Sequence, residues 1–405
     1  MTSCVVLGDP VIHDILINLS RDDTISIKNA LGQTLKDFSV GEERKYQPDA
    51  SVVIRPNGVK TLFRPFTSPT NVGIKITVDP TTSPSYRSAV KKPTIHGIVA
   101  LCDEEGNPRG ILNGDELTGY RTPLNVMVSY FYRKTTSNVV IFGAGKQALW
   151  HLRLALRLRG EDIMNVTIVK RNNEGLSEMI KQISSENDSL WNSPAQFQGI
   201  NIEDSDSESR LKTVITNADV IFCTTPSKKA LFPAEWLLPR LREGRGLYLS
   251  AVGSWQPDML EIDPIILNEV VSTSGYNPSG GPGGVLLVDD REIAQKSTGE
   301  FTNSKVKADQ IIEIGEVLQW KETWETDKQR HLNNWLEEGF VVYKTGREVW
   351  EGHYDWQLLL QAVKAVSMDN IPKEYKVYNT FLYQIQQGRF DVNVGGFELV
   401  NMALY

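Results

Sequence analysis

Residues 138–148 limit the possible folds more than any other part of this chain. The apolar run Asn138-Val139-Val140-Ile141-Phe142 reads as a buried strand. Gly143-Ala144-Gly145-Lys146-Gln147-Ala148 follows it at once and opens an amphipathic helical stretch that Gly160 ends. A second apolar run, Val166-Thr167-Ile168-Val169, comes about 20 residues after the turn, as in a dinucleotide-binding βαβ unit. Gly143 permits the tight turn, Gly145 lets the backbone approach a ligand, and the small Ala148 allows the helix to lie close to the strand. The free N–H groups at such a helix start, with their partial positive charge, suit a diphosphate.

Further strand-like runs at 218–223 and 246–250 alternate with helical stretches, which predicts a parallel sheet with crossover helices. The chain before residue 120 differs. Residues 10–40 read as two helices, with breaks expected near Asp22-Asp23-Thr24 and Gly41. Runs at 51–54, 61–63, 73–78, 95–102 and 108–112, separated by Pro/Asn/Gly turns, read as an antiparallel sheet. A helix is expected over 121–134. The Ser/Asn/Asp/Glu-rich stretch 184–210 reads as a surface insertion, and the glycine-rich 275–284 as either an exposed connection or a mobile flap. The fold class expected is α/β: a Rossmann-type doubly wound parallel sheet inserted in an α+β domain. Its division is 1–122 and 319–405 for the α+β domain and 123–318 for the inserted sheet.

The residue after the second strand discriminates cofactors. NAD sites place an acid there for the ribose 2′-hydroxyl. This chain has Lys170-Arg171-Asn172-Asn173, two cations that would attract a 2′-phosphate, so NADPH is expected over NADH. The other reading is a solvated turn carrying ordinary surface cations.

Composition excludes several classes. The 405 residues carry a net charge of -7, which offers no broad basic surface for nucleic acid. Three separated cysteines, Cys4, Cys102 and Cys223, support neither a disulfide framework nor a thiolate zinc site. The five histidines show no metal-ligand spacing, so no metal is expected. No apolar run approaches the roughly 18 residues of a membrane helix, and the N-terminal run is broken by Asp9, Pro10 and Asp14. The cytosol is the expected location.

Several ordered motifs resemble the ornithine cyclodeaminase/mu-crystallin family over roughly residues 45–345. They are His96 to Asp103 with Gly106 and Pro108, Leu117-Thr118 with Arg121-Thr122, and the glycine turn with Gln147. Ala218-Asp219 through Thr224-Thr225, Ala251-Val252-Gly253-Ser254 with Pro257 and Glu261, and Val288-Asp289-Asp290 follow in family order. The resemblance implies a homodimer. It also implies a substrate domain made from both ends of the chain and NAD(P)H chemistry on imino or amino acids.

On this resemblance Lys75 and Arg121 are the expected catalytic pair, Arg121 as the guanidinium fork for a substrate carboxylate and Lys75 as a donor beside it. Val252, Gly253, Ser254, Thr224 and Thr225 are expected around the nicotinamide, with Gly143, Ala144, Gly145, Lys146, Gln147, Lys170 and Arg171 on the rest of the dinucleotide. His96 is either a substrate contact or a structural histidine. Trp255 stands where ornithine cyclodeaminases carry an aspartate, which argues against cyclodeamination. It is either an apolar substrate wall or a residue packed under a loop. Around Gln47-Pro48-Asp49-Ala50-Ser51 the family's arginine is missing; Arg64 either replaces it or lies on the surface. Residues 366–405 have no family counterpart.

The expected activity is hydride transfer from NADPH to the C=N bond of a cyclic imino acid or related imine. The alternatives are an amino-acid dehydrogenase or a non-catalytic NADPH-binding protein.

Overall fold

The computed structural model describes residues 4–80, 83, 95–254 and 256–346. Two sheets organise them. The first has six strands: β1 (Val5–Leu7), β2 (Ser51–Ile54), β3 (Lys60–Thr67), β4 (Asn71–Asp79), β5 (His96–Asp103) and β6 (Pro108–Asn113), in the order β1-β6-β5-β4-β3-β2. β2 to β6 form antiparallel pairs, and β1 adds parallel to β6. Gly58 and Gly106 turn the hairpins at φ +80 and +84, a region that costs other residues energy. The side chain of Asp103 closes its turn by accepting from the N–H groups of Glu105 (3.1 Å) and Asn107 (2.8 Å).

Side chains alternate across this sheet. Leu62, Arg64, Phe66, Lys75, Thr77, Val99 and Leu101 are buried on the inner face. Helices Asp9–Ile17, Arg21–Ser39 and Gly114–Tyr130 also belong to this part of the chain. The break between the first two lies at Asn18–Ser20, earlier than expected. Ser20 is the cap: its hydroxyl accepts from Asp23 N (3.0 Å), while the Asp23 carboxylate accepts from Ser20 N (3.1 Å). The third helix starts at Gly114 rather than 121, because Asn113 caps it by accepting from Asp115 N (3.1 Å).

The second sheet is parallel throughout. Its strands are β7 (Asn138–Phe142), β8 (Asn165–Lys170), β9 (Gln196–Asn201), β10 (Val220–Cys223), β11 (Leu247–Ala251), β12 (Leu286–Val288), β13 (Ile311–Glu313) and β14 (Phe340–Lys344). The order is β13-β12-β14-β11-β10-β7-β8-β9. Strand order reverses direction at β7, flanked by β8 and β10, which is the switch point where open α/β sheets bind ligands.

Two expectations are corrected here. Stretch 184–210 is not an insertion: it closes helix Leu176–Glu186, forms the edge strand β9 and starts helix Ser207–Asn217. β9 looks polar in sequence because its first residues alternate between exposed and half-buried at the sheet edge. The boundary at 318 also fails. β14 belongs to the parallel sheet, pairing with β11 over five residues and with β12 on its other side. Its five residues are all buried, as an interior strand requires.

Among the described residues no helix is long and apolar enough to cross a membrane. None of their His, Cys, Asp and Glu side chains group to hold a metal ion.

The buried Tyr248 phenol on β11 ties the helix Gly114–Tyr130 to the parallel sheet. It donates to the Val126 carbonyl (3.0 Å) and lies 2.8 Å from the Ser129 hydroxyl. Tyr248→Phe is expected to lower unfolding free energy by about 1–2 kcal/mol, read by urea denaturation.

Candidate functional site

The C-terminal ends of β7 and β10 lie side by side. Gly143 stands after β7 at φ +116, and its N–H donates to the Val169 carbonyl at 2.9 Å. A Cβ there would come within 2.7 Å of Thr224 Oγ1. Gly145 differs in kind. Its backbone is extended, and a Cβ added to it would meet no protein atom within 4 Å. It caps the helix Lys146–Arg159 with no side-chain hydrogen bond, which leaves the first N–H groups of that helix without a partner from the cap. This fits a bound diphosphate: one glycine satisfies the turn and the other keeps the approach clear. Lys170 is half-buried at the end of β8 and Arg171 is exposed beside it, with no carboxylate within 170–173.

The helix Gly114–Tyr130 joins this turn to the first sheet. Thr118, in its second turn, meets both. Its hydroxyl accepts from Lys75 Nζ (2.7 Å) and donates to the Gly114 carbonyl (2.6 Å). Its carbonyl accepts from Gln147 Nε2 (3.0 Å). Arg121 follows one turn later on the same helical face. It is buried and close enough to Tyr343 on β14 to oppose the upward push that burial and Asp289 exert on that phenol. Lys75 thus meets this helix at Thr118, and Arg121 stands on it one turn further on. Arg64 is a buried residue, not a surface one, and is the direct cross-strand partner of Lys75. Two of the cations, Arg64 and Lys75, therefore share the inner face of the first sheet.

Two residues before Thr118, Glu116 binds the seam. It pairs with Lys146 Nζ (2.7 Å) and His13 Nδ1 (3.2 Å), and accepts from Trp150 Nε1 (3.0 Å). Burial would raise its carboxyl, but these hydrogen bonds outweigh burial and hold its pKa down at about 2. Lys146 is thus already engaged with a carboxylate.

Not every expected residue joins the cleft. His96 falls on the opposite face of the sheet from Lys75 and Val99, by the period-two alternation of β5. It is exposed and bonded through Nδ1 to Asp115. Trp255 and residues 366–405 lie outside the described residues.

The expected hydroxyls turn inward. Thr224 Oγ1 donates to the Phe142 carbonyl (2.7 Å), Thr225 Oγ1 to Glu261 (3.3 Å), and Ser254 Oγ to Glu300 (2.6 Å). They brace their loops, and what the loops present is backbone. Glu261, Glu300 and Lys344 were not singled out as site residues from sequence; only the Glu261 motif position was visible. A separate cavity of about 420 Å³ lies between Ile17–Arg21 and Leu156–Glu161. It sits at the other end of the helix Lys146–Arg159, about 20 Å from the glycine turn.

Comparisons with known proteins bear on the family and the fold. The model of the ornithine cyclodeaminase/mu-crystallin family matches residues 26–330. An uncharacterized protein of Saccharomyces cerevisiae is 23% identical over 78% of this chain and 87% of its own length. The ketimine reductase mu-crystallin of Macropus fuliginosus is 26% identical over 58% of this chain, and the match spans only 60% of that protein. A Δ1-pyrroline-2-carboxylate reductase of Bacillus cereus is 25% identical over 56% of this chain and 62% of its own length. Among solved structures, the Thermococcus litoralis Δ1-pyrroline-2-carboxylate reductase, bound to NADH and L-proline, shares the fold at TM-score 0.64. It has 15% identity and covers 89% of this chain and 97% of its own. The iminosuccinate reductase of Paracoccus denitrificans, bound to NAD+, aligns at TM-score 0.62 with 17% identity over 89% of this chain and 96% of its own.

The two glycines separate a structural role from a ligand role. Gly143→Ala is expected to lower unfolding free energy by about 1–3 kcal/mol through its left-handed backbone. Gly145→Ala is expected to change it by less than about 1 kcal/mol, yet to weaken dinucleotide binding about tenfold or more. Thermal melts without ligand and fluorescence titration with NADPH check both.

Proposed function

Because the chain belongs to the ornithine cyclodeaminase/mu-crystallin family, we propose that it is an NADPH-dependent reductase of a small anionic imine, a cyclic imino acid or a close relative. One observation carries the reading: Thr118 bonds Lys75 of the first sheet and Gln147 of the glycine-turn helix at once, with Arg121 one turn further on. Two cations close to a helix that also bonds the glycine-turn helix support a site for a small anion beside a bound dinucleotide.

A nicotinamide bound there would supply the hydride. The chain's own residues do the rest. Arg121 offers a planar fork for the substrate carboxylate, and Lys75 and Arg64 add positive charge from the facing strands. The positioning of the imine carbon by these groups is the main contribution of the protein to the rate. Lys170 and Arg171 favour a 2′-phosphate over a free ribose hydroxyl. The relatives, a ketimine reductase and Δ1-pyrroline-2-carboxylate reductases, support the C=N class.

The reading includes a second copy of the chain. Val6, Val53, Val72, Val78, Ile98 and Ile111 are exposed on the outer face of the first sheet, a set that the strand register places together. An apolar face this broad suits a self-complementary partner. A structural relative, an archaeal alanine dehydrogenase, is described as a dimer.

The purified chain is expected to oxidise NADPH with pyrroline- or piperideine-carboxylates without added ammonia. Arg121→Ala is expected to lower kcat/KM by roughly 10- to 100-fold, the worth of a charge-assisted bond pair. Arg171→Ala is expected to weaken NADPH about tenfold and NADH less than about twofold. Binding of NADPH with no oxidation across the imine panel would favour a binding protein instead.

A further inference from the structure

The loops after β10 and β11 are held from beneath by three buried ionisable groups. Glu261 lies under both. One of its oxygens accepts from Thr225 N (2.6 Å) and Thr225 Oγ1 (3.3 Å); the other accepts from Gly253 N (2.6 Å) and Ser254 N (3.1 Å). A carboxylate has about four lone-pair positions, and all of them meet donors here, so the site fits the ionised form.

Lys344, at the end of β14, takes the complementary groups of the same loop. Its ammonium donates to the carbonyls of Ala251 (3.0 Å) and Ser254 (2.9 Å). Glu300 completes the set, accepting from the Ser254 hydroxyl (2.6 Å) and from the N–H of Glu261 itself (2.8 Å). Residue 253 has to be glycine, since a Cβ would overlap the Thr225 backbone.

Burying three such groups carries a large desolvation cost, and an apolar filling would hold a plain loop with less of it. What the charges add is direction: each backbone dipole of the loop has a fixed partner.

We propose that Glu261, supported by Lys344 and Glu300, is the positioning residue that fixes the Thr224–Thr225 and Val252–Ser254 loops as the bed of the nicotinamide ring. This rests on the dinucleotide reading given above. The role is selective, because the glycine turn and Lys170-Arg171 follow other strands, β7 and β8, and would hold the rest of the dinucleotide without bonding Glu261.

The clamp is sensitive to pH. Burial pushes the Glu261 carboxyl up to about 7, with Lys344 opposing and Glu300 adding to the rise. The titratable groups facing it are Lys344, Glu300 and the Cys223 thiol on β10, itself pushed up by burial. Above that pH the carboxylate holds four donors. As pH falls through it, a proton occupies one acceptor position and one loop donor is expelled.

The test compares NADPH with 2′-phospho-ADP-ribose, which lacks only the nicotinamide. Both are titrated by calorimetry at pH 8 and pH 6 into the full-length wild type, E261Q and E300Q. The fragment carries the same phosphates, so their own titration cancels. At pH 8, E261Q is expected to weaken NADPH about tenfold, one charge-assisted bond, while the fragment changes by less than roughly twofold. The wild-type preference for NADPH over the fragment is expected to shrink at pH 6 toward the E261Q value, and E300Q to shift it in the same direction by less. Should E261Q fail to fold, E300Q and the wild-type pH comparison decide. Equal loss on both probes, or no loss on either, would overturn the proposal. A wild type that binds neither probe would instead remove the dinucleotide reading, and the proposal with it.

Discussion

The helix Gly114–Tyr130 is the constraint that everything else is built around. Nearly its whole surface is buried, because the first sheet and the helices of the parallel sheet close on it from different sides. A helix in that position cannot slide without opening both interfaces. Its first turns therefore set a fixed distance between β4 and the glycine turn, and Thr118 converts that distance into two hydrogen bonds. Glu116 adds a charged rivet on the side facing His13 and Lys146. The spacing of the two parts is thus inherited from packing, and the polar contacts register it.

Charge is distributed by the same logic. Arg64 and Lys75 are buried on the inner face of the first sheet, and Arg121 is buried on the helix itself. Glu261, Glu300 and Lys344 are buried beneath the loops at the sheet edge. On the proposed function the first set would meet an incoming anion; the second is spent on loop backbone. The hydroxyls of Thr224, Thr225 and Ser254 belong to the second set, which is why they do not point outward.

Much of this was legible in the residues. The strand, glycine turn and helix at 138–159 were visible because three local signals agree there: an apolar run, glycines where the backbone needs them, and helical periodicity. The antiparallel part was legible from its turns. β9 was not, because an edge strand exposes polar side chains on alternate positions and so resembles a loop. The start of the long helix was hidden because Asn113 caps it in the middle of an otherwise strand-like stretch. Arg64 and His96 show the limit of one-dimensional reading: two positions equally suspect in sequence fall on opposite faces, and only strand register separates them. Glu261 was visible as a motif position, but its four donors come from segments that meet only when β10 and β11 pair.

The place of β14 has a consequence for how the molecule is made. The strand leaves the ribosome after every other strand of the described chain, yet its slot is in the interior of the parallel sheet, with β11 and β12 as neighbours. Until residue 344 has emerged, the two halves of that sheet lack the element between them, and Glu261 lacks its counter-ion. Synthesis therefore ends, for this part of the protein, with an insertion: a late strand completes an early scaffold. An open slot of that kind exposes the edges of β11 and β12 until residue 344 arrives, a stage at which unpaired strands are open to wrong partners.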